Sequence, residues 1–429
     1  MDHMSMGTLR ALCVPISMYC SRCMIGCRRG EPHNSYQIIA HILVAARGKG
    51  MTPLNERERF VETLLFGKPD KVPLQPGSPR ESTLETWYRQ GLPRDVHYYE
   101  FLLEALGIEY DKPAGPKTNL GVSFKMIPEF DEKVLEHKDG HYIVQDWMGA
   151  ITEISDEFDY TYIREAKDFV TRKWHKFPVQ NRADWEAMKK RFDPSSPGRY
   201  PGDFQERCKA LANGDGVVSF AFNGPFWQLR EWCGLENLCM LMLDDPDFVQ
   251  EMTAFWTDFV SRTMAPILAR LQVDYVLVNE DMAYKAHSMI SPQMTRKFLL
   301  PSYERWIAEL KRAGCRVISI DSDGYVAELI PIWIEAGFNC CFPMEVAAGN
   351  DIVEYRRLYG KKMAYLGGID KRAIAAGGKV MEREVMRVVP PLLEEGGFIP
   401  GCDHGVPPDI SWGDFVEYTR LLAKLTGWL

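Results

Sequence analysis

The chain has 429 residues, of which 46% are hydrophobic and 26% charged, and a formal net charge of -8. This composition is typical of a folded globular protein, and no apolar segment approaches the roughly 20 residues that cross a bilayer. The acidic balance, with no basic stripe in the body of the chain, argues against a nucleic-acid partner. Eleven cysteines in a chain of this length do not indicate a disulfide framework, so we expect a cytoplasmic protein without membrane association.

The first fifty residues differ from the rest of the chain. Residues 1–50 contain six Lys or Arg and two Asp or Glu, and their apolar residues follow no regular period. Met51 then begins the segment MTPLNERERFVETLLFG, which has the polar start and apolar stripe of a helix. We therefore interpret residues 1–50 as a poorly ordered leader or a mis-assigned start, and residues 51–429 as the folded domain. The C-x2-C-x3-C spacing from Cys20 to Cys27 lacks a fourth ligand, so a metal cluster there is the weaker interpretation.

The N-terminal third predicts two features. The run VPLQPG, residues 72–77, is a candidate first strand of a barrel. Residues 120–180 show short strands and turns, including HYIVQDWMGAITEIS, which predicts a β-rich insertion covering one mouth of the domain. Amphipathic helices are predicted farther on, over residues 244–271, over residues 291–315 with Ser291 as N-cap, and after a capping-box pattern at Ser411 and Asp414.

Five apolar runs of strand length in the second half each end in a carboxylate. They are YVLVNED, RVISIDSDG, NCCFPME, MAYLGGID and GFIPGCDHG. Their alternation with helical segments predicts repeated βα units around a parallel sheet, and a (β/α)8 barrel is the architecture that we expect. A doubly wound open sheet is the alternative, but no Gly-rich phosphate fingerprint follows an early strand, so no nucleotide cofactor is expected.

The segment DSDG carries the strongest chemical signal. Asp321 and Asp323 flank one residue at a strand end, where alternate side chains share a face. Two carboxylates there can bind a metal or form an acid/base pair with separated pKa values. The structural alternative is that one of them only caps the next helix.

The segment GCDHG adds further candidates. His404 follows a strand end in a Gly-bounded loop and can act as a general acid, a general base or a metal ligand. Cys402 can be a buried apolar side chain or, as a thiolate, a zinc ligand. Asp403 lies between them as a candidate contact to substrate.

The other strand ends supply more acids and an aromatic loop. Glu345 is a further catalytic candidate, and Asp370 either contacts substrate or caps the helix after it. Glu280 and Asp281 are adjacent, so only one of the pair is expected to face the site. Phe226 and Trp227, in the loop FNGPFW, would suit a flat or apolar substrate, although such residues also pack barrel rims.

From about Met51 to Leu429 these landmarks resemble the uroporphyrinogen decarboxylase superfamily. The matching segments are NERERFVETLLFGKPDKVP, FNGPF, ISPQMTRKFLLPSYERWI, DSDG, LGGID and GCDHGVPPD. The resemblance implies a (β/α)8 barrel with its active site at the carboxyl ends of the strands.

The resemblance includes a decarboxylase branch, from which this chain departs. Decarboxylases carry an RQAGR motif that grips substrate carboxylates, whereas the comparable loop here offers only Arg80 and the partial match Arg89-Gln90-Gly91. The tetrapyrrole-centring Asp of an FSD-type motif has no match, and only His404-Gly405 carries over. A mouth rich in carboxylates would also repel a substrate with many acid groups.

A second branch contains cobalamin-linked methyltransferases, which bind zinc through His-x-Cys and a later Cys. Here Asp321-x-Asp323 stands at the His-x-Cys position, and Cys402 matches the later Cys. The resemblance thus implies a zinc site of Asp321, Asp323, Cys402 and His404 with harder ligands, suited to demethylation of a methoxy or similar substrate.

The leading hypothesis is transfer of a methyl group from a small methylated substrate to a corrinoid on a separate protein, with Asp321, Asp323, Glu345 and His404 in the active site. Substrate contacts are expected from the residues Arg80, Arg89, Phe226, Trp227, Glu280, Asp281, Asp370 and Asp403. The alternatives are a uroporphyrinogen decarboxylase-type carboxy-lyase and a non-catalytic barrel subunit of a methyl-transfer complex. The sequence is also compatible with a homodimer and does not determine the oligomeric state.

Overall fold

A computed structural model describes residues 53–109, 119–161, 164 and 170–429. The predicted leader and its cysteines lie outside these ranges. The helices are α1 Glu56–Leu64, α2 Glu81–Arg89, α3 Tyr98–Leu106, α4 Arg182–Lys189, α5 Phe204–Ala212, α6 Pro225–Cys233, α7 Leu235–Asp244, α8 Pro246–Leu268, α9 Pro292–Phe298, α10 Leu300–Arg312, α11 Ile330–Ala336, α12 Ile352–Tyr359, α13 Lys371–Ala376, α14 Gly378–Glu395 and α15 Trp412–Thr426. The strands are β1 Lys133–Lys138, β2 His141–Gln145, β3 Ile151–Ser155, β4 Lys173–Lys176, β5 Ser219–Asn223, β6 Tyr275–Asn279, β7 Val317–Asp321, β8 Cys340–Phe342, β9 Ala364–Ile369 and β10 Phe398–Cys402.

Six parallel strands form the centre of the molecule, in the sequential order β5 to β10. The last five coincide with the five acid-terminated runs. Every residue of β9 and β10 is buried, as expected for parallel strands covered on both faces. The segment 72–77, predicted as the first strand, is not assigned as a strand, but it lies next to β10, since the amide of Cys402 donates to the carbonyl of Pro76 at 3.0 Å.

The predicted insertion is a separate antiparallel sheet in the order β1-β2-β3-β4. Its outer strand β1 is exposed at every residue, whereas Val144 and Ile154 in the inner strands are buried. This alternation is typical of an antiparallel sheet with one packed face.

Helix α1 covers one end of the parallel sheet. Its Asn55 side chain and Glu58 form a reciprocal capping box, and its buried face includes Phe60 and Leu64. These side chains pack in one cluster with Val317 and Ala364, the first residues of β7 and β9. Because this end is filled by core side chains, a functional site is confined to the opposite, carboxyl end.

The predicted helix from Ser291 is interrupted. Ser291 caps α9 as expected, through a hydrogen bond from the amide of Met294, but α9 ends at Phe298 and α10 begins at Leu300. Pro301 in the first turn of α10 has no amide hydrogen to continue the α9 ladder. No helix among the described residues is long and apolar enough to cross a membrane.

Candidate active site

The parallel strands end at one level and present their following loops together. Asn223, Asn279 and Asp321 are register partners at the ends of β5, β6 and β7, and Ile369 pairs with Cys402 at the ends of β9 and β10. We call the surface formed by the loops after these residues the mouth. The acid-terminated runs therefore converge in space as their sequence pattern predicted.

Asp321 is a mouth acid for which the described residues provide no hydrogen-bond partner. Its side chain is partly buried and accepts no hydrogen bond from any residue that the structure describes. Burial raises the pKa of Asp321 to about 7, and the negative charges of Asp323 and Asp281 add to the rise, while His404 opposes it. A carboxyl group with this pKa is populated in both protonation states near neutral pH.

Asp323 and His404 form an ion pair beside Asp321. The Nε2 atom of His404 lies 3.1 Å from Oδ2 of Asp323, and its Nδ1 atom lies 3.4 Å from Nη2 of Arg80. Asp323 favours the protonated imidazole, whereas Arg80 can donate to Nδ1 only when that nitrogen carries no proton. The hydrogen bond to Asp323 prevails and raises the pKa of His404. Three residues predicted from separate segments thus meet at one point.

Glu345 is held by a cation that the sequence analysis did not select. Its Oε1 atom lies 2.8 Å from Nζ of Lys371, and its Oε2 atom accepts a hydrogen bond from the amide of Gly324 at 3.2 Å. The fully buried carboxylate of Asp403 accepts from the amides of Val346 and Lys371 at 2.8 and 3.1 Å. Asp403 therefore connects the loops after β8 and β9 through hydrogen bonds on their buried side.

Asp281, rather than Glu280, faces the mouth. The carboxylate of Asp281 pairs with Arg230 at 2.9 Å, and Nη1 of the same arginine donates to the Asp281 carbonyl at 2.8 Å. The backbone of Asp281 has a φ of 40°, so the chain leaves the β conformation immediately after β6.

Glu280 is fully buried behind the mouth. It accepts hydrogen bonds from the hydroxyl of Tyr303 and, at 3.0 Å, from the amide of Trp227. Burial raises the pKa of Glu280 to about 7. A Cβ atom on Gly224 would lie 2.1 Å from the Glu280 carboxyl carbon, so glycine is required for this approach. Glu280 thereby fixes the first turn of α6 against β6.

The remaining predicted contacts lie at the margin or outside. Phe226 is fully buried, and Trp227 is partly exposed, with its indole donating to Glu231 at 2.7 Å. Asp370 caps α13 by accepting from the amide of Arg372 at 2.9 Å. Arg89 is exposed at the last turn of α2 and is not brought to the mouth.

Of the four predicted zinc ligands, Asp323 and His404 are in contact and lie beside Asp321. Cys402 is 4% exposed, and burial raises the pKa of its thiol to about 12, so without a metal the thiol is protonated at neutral pH. Among the described residues, no group of three or more His, Cys, Asp or Glu side chains could hold a metal ion. The zinc site of Asp321, Asp323, Cys402 and His404 stays a prediction that these positions do not support.

The mouth is closer to electroneutral than its acids suggested. Asp281 and Glu345 each face a cation, and Asp323 faces the imidazole next to Arg80. The sequence analysis found the acids but missed Arg230 and Lys371. The available signal was position, because Lys371 immediately follows LGGID and Arg230 lies two turns into the helix after FNGPF.

The six consecutive parallel strands, the covering helices and the carboxyl-end cluster define the class of α/β barrel proteins. The model of the uroporphyrinogen decarboxylase (URO-D) family matches residues 176–417, which is more than half of the chain. The chain belongs to the URO-D family, and its fold is the (β/α)8 barrel of that family with a β-rich insertion. The resemblance and the fold class predicted from the sequence are confirmed.

Two solved structures align with this chain at low sequence identity. A methyltransferase from Methanosarcina mazei aligns with a TM-score of 0.52 and 12% identity, over 87% of this chain and 98% of the other. A putative vitamin-B12 independent methionine synthase from Listeria monocytogenes aligns with a TM-score of 0.30 and 11% identity, over 52% and 67% of the two chains. A search of curated protein sequences finds no match.

Proposed function

We propose that this protein transfers a methyl group from a small methylated substrate to a corrinoid on a separate protein, with Asp321 as general acid. The observation that carries the proposal is the carboxyl of Asp321, which has no hydrogen-bond partner among the described residues and a pKa raised to about 7. The acids around it already have cationic or imidazole partners. A general acid functions best when its pKa lies near the working pH.

Asp321 is assigned as the general acid because the leaving heteroatom needs a proton. When the bond between the methyl carbon and its heteroatom breaks, the electron pair stays on the heteroatom, which must gain a proton to leave as a neutral group. Protonated Asp321 supplies that proton and becomes a carboxylate. A corrinoid on a separate protein would supply the nucleophile that accepts the methyl group.

The neighbouring residues prepare Asp321 for this step. The negative charges of Asp323 and Asp281 hold its proton in place before transfer. After transfer, a protonated His404 favours the new carboxylate, and it can return a proton taken from solvent. The ion pair of Glu345 with Lys371 holds the loop after β7 through the amide of Gly324.

The likeness to the Methanosarcina mazei methyltransferase supports methyl transfer as the reaction class, since it extends over 87% of this chain. At 12% identity the likeness concerns the fold, so the choice of Asp321 rests on the geometry of the mouth.

The test is a demethylation assay with purified protein and reduced free cobalamin as acceptor. Methoxylated aromatics, methylamines and methyl thioethers are supplied separately, and the demethylated product is measured by mass spectrometry. We expect product from one class, and a loss of about 100-fold or more in Asp321→Asn. Asp203→Asn, at a surface ion pair with Arg207, is the matched control. Full activity in Asp321→Asn would refute the assigned role.

A carboxy-lyase of the URO-D type is the second candidate. The observation that favours it is the trio of cations Arg80, Arg230 and Lys371 around the mouth, which could anchor substrate carboxylates. Conversion of uroporphyrinogen to coproporphyrinogen by the same preparation, without demethylation of any donor, would select this function instead.

A further inference from the structure

The inserted sheet contributes an arginine to the junction with the barrel. Arg172 immediately precedes β4, whose Trp174 stacks on Phe177 with centroids 4.9 Å apart and an interplanar angle of 13°. Phe177 packs against Gly234 at the end of α6, where an added Cβ would lie 2.4 Å from its ring. The position of Arg172 is therefore fixed by aromatic packing between the insertion and α6.

No described residue forms an ion pair with Arg172. Its Nη1 atom is buried and has no hydrogen-bond partner among the described residues, and its guanidinium lies 4.3 Å from the centre of the Trp174 ring. Asp146 and Glu231 are near enough to attract it electrostatically, yet neither forms an ion pair with it. Burial lowers the pKa of Arg172, as expected when water is removed without a full replacement.

The two nearby acids are held in place by other groups. Oδ1 of Asp146 accepts from the amides of Met148 and Ala150 at 3.0 and 2.9 Å, while its Oδ2 atom is buried without a partner in the described part of the chain. Asp146 is 3% exposed, so this second orphaned atom also lies inside the junction. Nη1 of Arg172 and Oδ2 of Asp146 are thus two buried polar atoms at one junction with no hydrogen-bond partner among the described residues, and a ligand that carries an acceptor and a donor would satisfy both.

Glu231 is fully engaged and connects the junction to the mouth. Its carboxylate accepts from the indole of Trp227 and from the side-chain amides of Asn223 and Gln228 at 2.7 to 3.3 Å. Asn223 ends β5, and the neighbouring Arg230 pairs with Asp281 in the mouth. The junction at Arg172 thus lies on the β5 side of the mouth.

We infer that Arg172 is a binding residue for the carboxylate of a small-molecule ligand at the junction between the insertion and the barrel. A guanidinium edge binds a carboxylate through paired hydrogen bonds, and the Trp174 ring fixes the plane of that edge. The unpaired Oδ2 of Asp146 favours a ligand that also carries a hydroxyl or ammonium donor. Binding at this site does not depend on the proposed methyl transfer. Only the idea that the bound ligand is the reacting substrate rests on that function.

Binding of succinate to the full chain tests the inference without any turnover. The thermal unfolding midpoint is measured at fixed ionic strength with succinate, with the neutral analogue succinamide and with chloride. Succinate is expected to raise the midpoint of the wild type, whereas the other two are not. Arg172→Met is expected to weaken succinate binding by about tenfold or more, as loss of a charge-assisted pair implies, and Arg172→Lys by less. Arg94→Met, which removes a surface ion pair with Glu85, is the matched control.

The stability of the ligand-free variant gives a second readout. If Arg172 awaits a ligand, Arg172→Met unfolds close to the wild-type temperature, because it loses only the attraction to Asp146 and Glu231, neither of which forms an ion pair with it. A large drop, or failure of this variant to fold, would mean that the protein itself satisfies Arg172, for instance through a buried water, and would overturn the inference. Equal succinate binding by wild type and Arg172→Met would do the same.

Discussion

Nε2 of His404 lies 3.1 Å from Oδ2 of Asp323, and this contact joins the loops after β10 and β7. The contact raises the pKa of His404 above its ordinary value of 6.5. In Asp323→Asn, we expect the pKa of His404 to fall, because the negative partner is lost while Arg80 remains. Chemical shifts of the imidazole measured against pH report the change. Asp156→Asn, at the exposed pair of Asp156 with His137, is the control and should leave the His404 titration unchanged.

The same contact predicts a sign for stability. The pKa of His404 is higher in the folded than in the unfolded state, so the contact stabilises the fold fully below pH 6.5. This contribution is lost as the pH rises through the folded-state pKa. The difference in unfolding free energy between wild type and Asp323→Asn should therefore become smaller as the pH rises above the folded-state pKa of His404. A difference that becomes larger with rising pH would show that the contact with Asp323 does not raise this pKa.

Asp321 predicts a loss of stability in the same direction of pH, over a lower pH interval. Its pKa is 3.8 in an ordinary environment and about 7 in the fold, so the folded protein binds more protons than the unfolded chain between these values. The Asp321 contribution to stability is therefore present below pH 3.8 and is lost as the pH rises to about 7. The difference between these two pKa values corresponds to at most about 4 kcal/mol of unfolding free energy, and partial solvent access to Asp321 makes the contribution smaller.

Asp321→Asn removes this dependence. Chemical denaturation at several pH values should show the variant gaining stability relative to the wild type from pH 4 to pH 7, and a constant difference above. Catalysis should fall in the wild type above pH 7, as the acid loses its proton. Parallel stability curves for the two proteins would show that Asp321 has an ordinary pKa.

Much of the fold follows from local patterns in the sequence. The run VISID is β-branched, apolar and closed by an acid, and it forms the buried strand β7. The break between α9 and α10 was not predicted, because the apolar period continues across Leu299. Pro301 lies inside the predicted helix and was the sequence signal for the break.

The acids of the site were predictable, whereas their partners were not. Strand ends position Asp321 directly, but the choice between Glu280 and Asp281 depends on where β6 ends and on the positive φ of Asp281. Lys371 reaches Glu345 from another βα unit, and no spacing along the chain encodes that distance.

Tyr303 supports Glu280, which predicts a pH-dependent loss of stability. In Tyr303→Phe the buried carboxyl loses a hydroxyl donor, and we expect a destabilisation of about 1–3 kcal/mol. The loss should be larger above pH 7, where Glu280 carries a charge, than at pH 5. Urea denaturation at both pH values measures it. Glu280→Gln, which carries no charge at either pH, should make the two losses equal when combined with Tyr303→Phe.

Gly324 sets the path of the loop that carries Asp323, and its replacement gives the last prediction. Gly324 has a φ of +80°, and an added Cβ would lie 2.6 Å from the backbone of Ala283. Because that contact is with backbone, Gly324→Ala must shift the loop and move Asp323 from His404. Gly107 is the matched control, since it has a φ of +69° and no atom within 4 Å of an added Cβ.

Gly107→Ala should lower stability by about 1–2 kcal/mol, the strain of a left-handed alanine. Gly324→Ala should lose about 1–3 kcal/mol more from the clash. Its His404 titration should also move toward that of Asp323→Asn, whereas the titration in Gly107→Ala stays that of the wild type. Equal losses in the two variants, with an unchanged His404 pKa, would show that the loop accommodates a methyl group and that Gly324 does not position Asp323.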